Sequence, residues 1–189
     1  RRGIVQLYKD AGFRTLVVSC QAPNRSLIQM MCDEADQTIY MNGLNDGAML
    51  EPLRETIAAD TSDLFVVMNC YGSHFNYRER YPNQFSQFTP DDDVSISKKN
   101  RERMVNAYDN SIIYTDWFIS EVISTLRQTD ACSAMFYCAD HGEDLYDDRR
   151  GRFLHSSPTI TYYQAHVACV GWYSDEWRAT YPEKAEAAV

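Results

Sequence analysis

The segment Ala134-Met135-Phe136-Tyr137-Cys138, followed by Ala139-Asp140-His141-Gly142-Glu143, indicates the fold of this chain. The apolar run is typical of a buried strand, and the polar run after it marks the end of that strand. In α/β proteins, ligands bind beyond the carboxyl ends of the strands. Asp140 and His141 carry side chains that suit Zn²⁺, and Gly142 permits a sharp turn behind them. The segment therefore predicts an α/β protein with a ligand site at this strand end.

Predicted strands and helices alternate along the rest of the chain. Strands are expected at residues 15–19, 38–41, 64–68, 134–138 and 167–172, and helices at 4–11, 25–33, 48–59 and 98–128. The longest helix carries apolar residues at three-to-four spacing, among them Met104, Tyr108 and Ile112, so one face is expected to pack on the sheet. The alternation predicts a mainly parallel sheet flanked by helices, in a single domain covering residues 1–189.

Charge and length narrow the class of partner. The chain has 189 residues, enough for one domain, and a formal net charge of −9. This negative charge argues against nucleic acid or an anionic membrane surface as the main partner, because both select basic patches. No apolar run is long enough to span a bilayer. Since the chain begins at Arg1 and not at Met, we expect it to be an excerpt, with room for a membrane anchor upstream.

The cysteines give no metal signature. There are six of them and none forms a C-x-x-C pair, which argues against zinc-ribbon and thioredoxin-type sites. Cys20, Cys70 and Cys138 each end a strand-like run and Cys169 lies inside one, so these four are predicted to be small buried hydrophobes. Whether Cys20 bridges to Cys32 in an oxidising compartment is left open by the sequence.

Histidines follow the predicted strand ends. His74 and His141 each come just after a predicted strand, and His155 follows a charged loop. Because the carboxyl ends of parallel strands meet at one edge of a sheet, these imidazoles and Asp140 are expected to converge on a metal or phosphate site. The remaining histidine, His166, is predicted to be structural.

Other polar clusters carry weaker signals. Asp91-Asp92-Asp93 lacks EF-hand spacing and is predicted to be a solvated loop or a helix cap. Arg149-Arg150-Gly151-Arg152 fits either an anionic substrate or a flexible surface loop, and Asp147-Asp148 neutralises much of its charge. Glu143 is predicted either to orient a ligand histidine or to be exposed.

Three separated segments form an ordered pattern over most of the chain. They are Gly72-Ser73-His74 with Tyr77 and Arg80-Tyr81-Pro82, then Tyr108-Asp109-Asn110-Ser111-Ile112-Ile113-Tyr114-Thr115-Asp116, then Asp140-His141-Gly142-Glu143 with Leu154-His155 and Pro158. Together they resemble signatures of the phosphoethanolamine transferases of the bacterial inner membrane, within the sulfatase and alkaline phosphatase superfamily. Asp140-His141 alone would fit any sulfatase-like enzyme, whereas the ordered set is far more specific.

The resemblance implies an alkaline phosphatase/sulfatase-like fold that is incomplete at its N-terminus. Asp140 and His141 match the family's zinc ligands. His74 and His155 match histidines that line the phosphoethanolamine site, bind the substrate and assist proton transfer. The family's nucleophilic threonine precedes the matched part, so the chain is expected to be the C-terminal part of a periplasmic catalytic domain and inactive alone.

The implied reaction is zinc-dependent transfer of phosphoethanolamine from phosphatidylethanolamine to a cell-envelope acceptor such as lipid A. The implied location is the bacterial inner membrane, with the catalytic domain in the periplasm and an anchor upstream of Arg1. A sulfatase or glycerophosphotransferase of the same superfamily is an alternative, as is a non-catalytic module that keeps the fold. A threonine in a small polar turn just upstream would favour the enzyme.

Overall fold

The computed structural model describes residues 2–23, 27–59, 62–92, 95–155 and 159–187. The chain divides into two compact units, Arg1–Gly72 and Ser73–Val189. In the described part of the chain, no helix is both long and apolar enough to cross a membrane. Parts of three sequence predictions lie outside the described residues: the first two positions of the helix at 25–33, Asp93 and Pro158.

The first unit confirms the α/β prediction with a parallel three-stranded sheet. Its strands are β1 (Arg14–Ser19), β2 (Gln37–Tyr40) and β3 (Leu64–Asn69), in the order β2-β1-β3. Its helices are α1 (Ile4–Asp10), α2 (Leu27–Glu34) and α3 (Leu50–Ala59). The central strand β1 is buried at every position after Arg14, which explains its continuous apolar run, Leu16-Val17-Val18.

The chain leaves β3 through a turn held by Asp46. This carboxylate is buried, and its two oxygens accept hydrogen bonds from the Tyr71 and Gly72 N–H groups, each at 2.8 Å. Gly72 has a φ of 54°, in the left-handed region where a residue without Cβ is favoured. The glycine of the Gly72-Ser73-His74 segment is therefore explained by backbone conformation.

The second unit contains the long helix α4 (Arg101–Arg127), shorter helices and two antiparallel strand pairs. The strands are β4 (Ala134–Cys138), β5 (Asp144–Leu145), β6 (Phe153–Leu154) and β7 (Cys169–Tyr173). Helix α5 (Tyr162–Ala165) lies between β6 and β7, and α6 (Asp175–Thr180) and α7 (Pro182–Ala187) follow β7. β4 pairs with β7, and β5 pairs with β6. The buried stripe of α4 includes Met104, Tyr114 and Phe118, whereas Ile112, predicted to face inward, is 46% exposed.

The last predicted strand does not join the parallel sheet of the first unit. β7 runs antiparallel to β4, with Cys138 opposite Cys169. The chain between them forms the β5–β6 hairpin and the four-residue helix α5. A parallel return requires a long crossover to the other end of the sheet, and this connection folds back beside the end of β4.

The burial of the cysteines was predicted correctly only in part. All six are free thiols, so the structure contains no Cys20–Cys32 bridge. Cys20 is buried, and burial, aided by the nearby Asp46, raises its pKa to about 12. Cys138 and Cys169, predicted to be buried, are exposed on β4 and β7, because Cys138 belongs to the alternate positions of β4, with Ala134 and Phe136, that form its exposed face.

Candidate metal centre

The loop after β4 places the predicted ligands beside α5. The Gly142 N–H donates to the Gln164 carbonyl at 2.8 Å, and a Cβ added at Gly142 would lie 2.1 Å from the Tyr163 oxygen. The φ of Gly142 lies outside the left-handed region, so the sharp-turn explanation is wrong. Glycine is required here because the main chain of α5 passes too close for any side chain.

His141, Glu143 and His155 form a compact cluster. Each residue offers one ligand atom, and these atoms all lie within 4.8 Å of one another. The ring centroids of His141 and His155 are 3.8 Å apart. The Glu143 carboxylate oxygens lie 3.1 and 3.2 Å from Nδ1 of His155. Of the two sequence alternatives for Glu143, contact with a histidine is confirmed, and the side chain is buried.

Hydrogen bonds fix which nitrogen of each neutral imidazole keeps its lone pair. Nδ1 of His141 lies 3.1 Å from the Gly142 carbonyl, and Nδ1 of His74 lies 2.6 Å from the Phe75 carbonyl. A carbonyl oxygen only accepts, so both Nδ1 atoms carry the hydrogen. Nδ1 of His155 likewise donates to Glu143. Each histidine therefore offers Nε2 as a metal ligand or proton acceptor.

Asp140 lies beside His141, outside this cluster. Its Oδ1 accepts from the His141 N–H at 3.0 Å, and its Oδ2 is 3.8 Å from Nε2 of His141. Two ligands of a tetrahedral zinc with bonds of about 2.0 Å are ~3.3 Å apart. The Asp140 and His141 ligand atoms are thus close to the separation that one zinc ion requires, and the Asp140 side chain is 91% exposed. A carboxylate and an imidazole are suitable zinc donors.

Burial and positive charge act in opposite directions on Glu143. Desolvation by burial raises the pKa of this carboxyl group, while the hydrogen bond from His155 and the charges of His155, His141 and His74 lower it. The structure brings His141 and His155 together at Glu143. His74 also contributes to lowering the pKa of Glu143, and its place in the site stays a prediction.

A buried polar network supports the loop that carries the cluster. The Asp144 carboxylate accepts from Thr161 Oγ1 at 2.9 Å and from Gln164 Nε2 at 2.5 Å. Gln164 Nε2 also lies 3.4 Å from the Leu154 carbonyl, next to His155. The sequence analysis missed this network, because its members are far apart in the chain and none belongs to a recognisable motif.

Aromatic packing joins the three sequence segments. The fully buried Tyr77 makes edge-to-face contacts with Phe75 (5.3 Å between centroids) and with Tyr108 on α4 (5.1 Å). Phe75 packs in the same way on Phe153 of β6, at 5.5 Å. Leu145 of β5 belongs to the same cluster. The segments that carry His74, Asp109 and His155 are therefore held around one small core.

A cavity of about 260 Å³ opens beside Glu143. Its lining includes three carboxylates and three tyrosine rings, contributed by Asp109, Glu143, Asp147, Tyr108, Tyr162 and Tyr163. Arg101, also in the lining, donates to Asp147 at 3.1 Å. His166, predicted to be structural, lies at the same cavity and stacks on Tyr162. Burial raises the pKa of Asp109, which has no hydrogen bond or ion pair within the described residues.

Comparison with known proteins identifies curated relatives that are similar to this chain in sequence. Kdo(2)-lipid A phosphoethanolamine 7''-transferase of Salmonella typhimurium is 32% identical over 146 residues, covering 76% of this chain and 25% of that protein. The corresponding Escherichia coli protein is 38% identical over 114 residues, which are 59% of this chain and 19% of that protein. The chain thus spans a quarter or less of the length of these curated relatives.

Solved structures show the same fold. The C-terminal periplasmic domain of phosphoethanolamine transferase EptC from Campylobacter jejuni superposes with a TM-score of 0.80 at 31% identity, covering 94% of this chain and 58% of that one. The Escherichia coli EptC domain, in complex with Zn, gives a TM-score of 0.86 at 22% identity, covering 96% and 55%. A family model described as Sulfatase matches residues 1–189. Because that match covers the whole chain, the chain belongs to the sulfatase family.

Proposed function

We propose that the protein to which these residues belong is a zinc-dependent phosphoethanolamine transferase of the bacterial cell envelope. The donor is phosphatidylethanolamine, and the acceptor is a lipid A-like glycolipid. The nucleophile is a threonine that belongs to sequence outside these 189 residues. The observation that carries the proposal is the grouping of His141 and His155 at buried Glu143, with Asp140 beside His141. Similarity to named phosphoethanolamine transferases supports the choice of substrate.

Asp140 and His141 are the residues that would hold zinc. Their ligand atoms, Oδ2 and Nε2, are 3.8 Å apart and outside the Glu143–His155 hydrogen bond, so zinc binding here leaves that pair intact. When bound, zinc activates a hydroxyl nucleophile near neutral pH and offsets charge on the phosphoryl oxygens. His141 is held for this role by its Nδ1 bond to the Gly142 carbonyl.

Glu143 and His155 are suited to move a proton. Nδ1 of His155 donates to the buried carboxylate, which leaves Nε2 directed away from Glu143 as the proton-exchanging nitrogen. Nδ1 of His155 stays bonded to Glu143 while Nε2 exchanges a proton, so the imidazole can take a proton from one group and return it to another. His74, oriented by the Phe75 carbonyl, offers a further Nε2 to the phosphoryl group.

The cavity beside Glu143 suits the ammonium end of the transferred group. A primary ammonium is recognised by carboxylates and by the faces of aromatic rings. Asp147 is already paired with Arg101, and Glu143 with His155, which leaves Asp109 as the carboxylate for the incoming cation. The cavity and the histidines share Glu143, so one head group can reach both.

Intact-protein mass spectrometry of the full-length protein, incubated with phosphatidylethanolamine micelles and zinc, tests the proposal. We expect a covalent gain of one phosphoethanolamine group, lost in Asp140→Asn and retained in the exposed control Asp63→Asn. Parallel incubations contain phosphatidylglycerol or a sulfate ester. An adduct formed only from one of these would replace the proposal with a glycerophosphotransferase or a sulfatase. No adduct from any donor would favour a non-catalytic module.

A further inference from the structure

Cys138 and Cys169 occupy directly opposite positions in the antiparallel pair β4–β7. The main-chain hydrogen bonds at the two ends of the strand pair show whether Cys138 and Cys169 form a hydrogen-bonded or a non-hydrogen-bonded pair. Ser174 N donates to Ser133 O at 2.9 Å, and Ala139 N donates to Ala168 O at 3.2 Å. Hydrogen-bonded and non-hydrogen-bonded pairs alternate along an antiparallel ladder. The Cys138–Cys169 pair, next to the Ala139–Ala168 pair, is therefore non-hydrogen-bonded.

Non-hydrogen-bonded pairs have the closer Cα atoms, about 4.5 Å apart, and the closer side chains. A disulfide requires a Cα separation of roughly 4.4–6.8 Å, so the ladder already holds the two residues within that range. The side chains point to the same face, and the two thiols interact directly. Both residues are exposed, which gives an oxidant access.

We propose that Cys138 and Cys169 are a disulfide-forming site that ties the end of β4 to the start of β7. The reaction is thiol–disulfide exchange with a small or protein disulfide as oxidant. Each of the two thiols loses one hydrogen, an S–S bond forms between Cys138 and Cys169, and the oxidant's S–S bond breaks to give two thiols. The proposal rests on strand register and does not depend on the proposed transferase activity.

The location of this bond makes it relevant to the candidate metal centre. Cys138 is the last residue of β4, and Asp140 follows two positions later. Asp140 is exposed, so its position depends strongly on the main chain behind it. Cross-linking Cys138 to Cys169 restrains the main chain before Asp140, and the Gly142–Gln164 hydrogen bond restrains it after Asp140.

The remaining cysteines are poorly suited to compete. Cys20 and Cys32 are buried and Cys70 is half-buried. Cys132 is exposed and lies before β4, where it has no cysteine opposite it in the ladder. The structure thus favours one pairing among the exposed thiols, which makes the proposal directly testable by peptide mapping.

The experiment uses the folded chain carrying Cys132→Ser, which leaves Cys138 as the only cysteine between Arg127 and Arg149. The protein is equilibrated in glutathione buffers of increasing oxidised fraction, alkylated with iodoacetamide and digested with trypsin. We expect the peptides containing Cys138 and Cys169 to be recovered as one disulfide-linked species, abolished by the additional change Cys138→Ser. The same oxidation in guanidinium should give mixed pairings.

Two results would overturn the proposal. One is recovery of Cys138 and Cys169 as separate glutathione adducts or alkylated thiols at every buffer ratio. The other is a linked fraction no greater in the folded protein than in guanidinium, because the bond would then owe nothing to the strand register. Neither readout involves phosphatidylethanolamine, so failure here is distinguishable from failure of the transferase proposal.

Discussion

The side chain of Asn110 binds the main chain of Phe88 in both directions. Its Oδ1 accepts from the Phe88 N–H at 2.9 Å, and its Nδ2 donates to the Phe88 carbonyl at 2.9 Å. The same Nδ2 also donates to the Asp91 carboxylate at 3.0 Å. Asn110 is fully buried on α4. Its side chain supplies the main chain at Phe88, which lies outside any helix or strand, with the kind of hydrogen bonds that a neighbouring strand provides in a sheet.

Replacing Asn110 by alanine should strongly destabilise the second unit. The change removes hydrogen bonds to the part-buried main-chain N–H groups of Gln87 and Phe88 and to the Phe88 carbonyl, at about 1 kcal/mol each, so we expect a loss of about 3 kcal/mol. Urea denaturation measures it. Asn106→Ala, on the same helix, removes one exposed bond to Pro90 and should cost about 1 kcal/mol or less. Equal effects would contradict this role of Asn110.

Zinc content should show which of two groups of residues binds the ion: Asp140 with His141, or His141 with Glu143 and His155. If Asp140 and His141 hold the ion, Asp140→Asn lowers zinc stoichiometry, measured by plasma mass spectrometry after dialysis, while Glu143→Gln leaves it unchanged. Glu143→Gln should instead reduce the rate of transfer by about 10²-fold or more, because the His155 proton exchange loses its carboxylate. Glu102→Gln is the exposed control. Zinc loss in Glu143→Gln alone would place the ion in the His141–Glu143–His155 cluster.

Gly142→Ala should be poorly tolerated for reasons of space. The added methyl would meet the Tyr163 carbonyl at 2.1 Å, and α5 must move to admit it. We expect about 2 kcal/mol or more of destabilisation, measured by thermal unfolding. At Gly171 in β7, an added Cβ finds only ordinary contacts at 3.8 Å from Tyr173, so Gly171→Ala is the matched control. A melting temperature lowered equally by both would contradict the steric explanation.

Acid should remove one contribution to the stability of the first unit. The Lys9 ion pair and the bonds from the Thr15 N–H and hydroxyl lower the pKa of Asp36 to about 2. The pKa of Asp36 is lower in the folded chain than in the unfolded chain, where it is near 4, so the ionised carboxylate stabilises the fold at pH values above about 4. This stabilisation is lost as the pH falls towards 2, the pKa in the folded chain. Asp36→Asn should therefore cost about 1 kcal/mol at pH 7 and only a small part of that at pH 2.

The check on Asp36 is the difference in unfolding free energy between variant and wild type at several pH values. Asp63→Asn, at an exposed neighbour of β3, serves as the control and should give a small difference that is independent of pH. If the Asp36→Asn difference persists unchanged at pH 2, the lost packing of the side chain, and not its charge, explains the effect.

Asp109→Asn should weaken recognition of the donor head group. The cavity keeps its shape, but the carboxylate available to the ammonium becomes neutral. We expect KM for phosphatidylethanolamine to rise about 10-fold, with a smaller change in kcat. The N-methylated donor phosphatidylcholine provides the comparison, and discrimination between the two lipids should narrow. An unchanged KM would exclude Asp109 from head-group recognition.

The sequence predicted the individual helices and strands well, because apolar runs and the spacing of apolar residues are set within each element and do not depend on distant parts of the chain. β1, β3, β4 and α4 were placed to within a few residues, and the strand-end argument brought His141 and His155 together. The direction of β7 was missed because it depends on the path of the intervening chain. The importance of Asn110, Asp144 and Gln164 was missed because their partners are distant in sequence. The Ser174-Asp175-Glu176 cap of α6 was a signal that could have been read.

The β4–β7 pair has a consequence for the behaviour of the chain in solution. Among the described residues, β4 and β7 pair only with each other, so each has one edge without a hydrogen-bonded neighbour, and Phe136 of β4 is 74% exposed. Such an edge accepts any extended segment as a third strand. A strand added alongside β4 would alter its twist, and that change would be felt at Asp140. If the added strand comes from a second copy of the chain, the affinity of the candidate centre for its ion would depend on protein concentration.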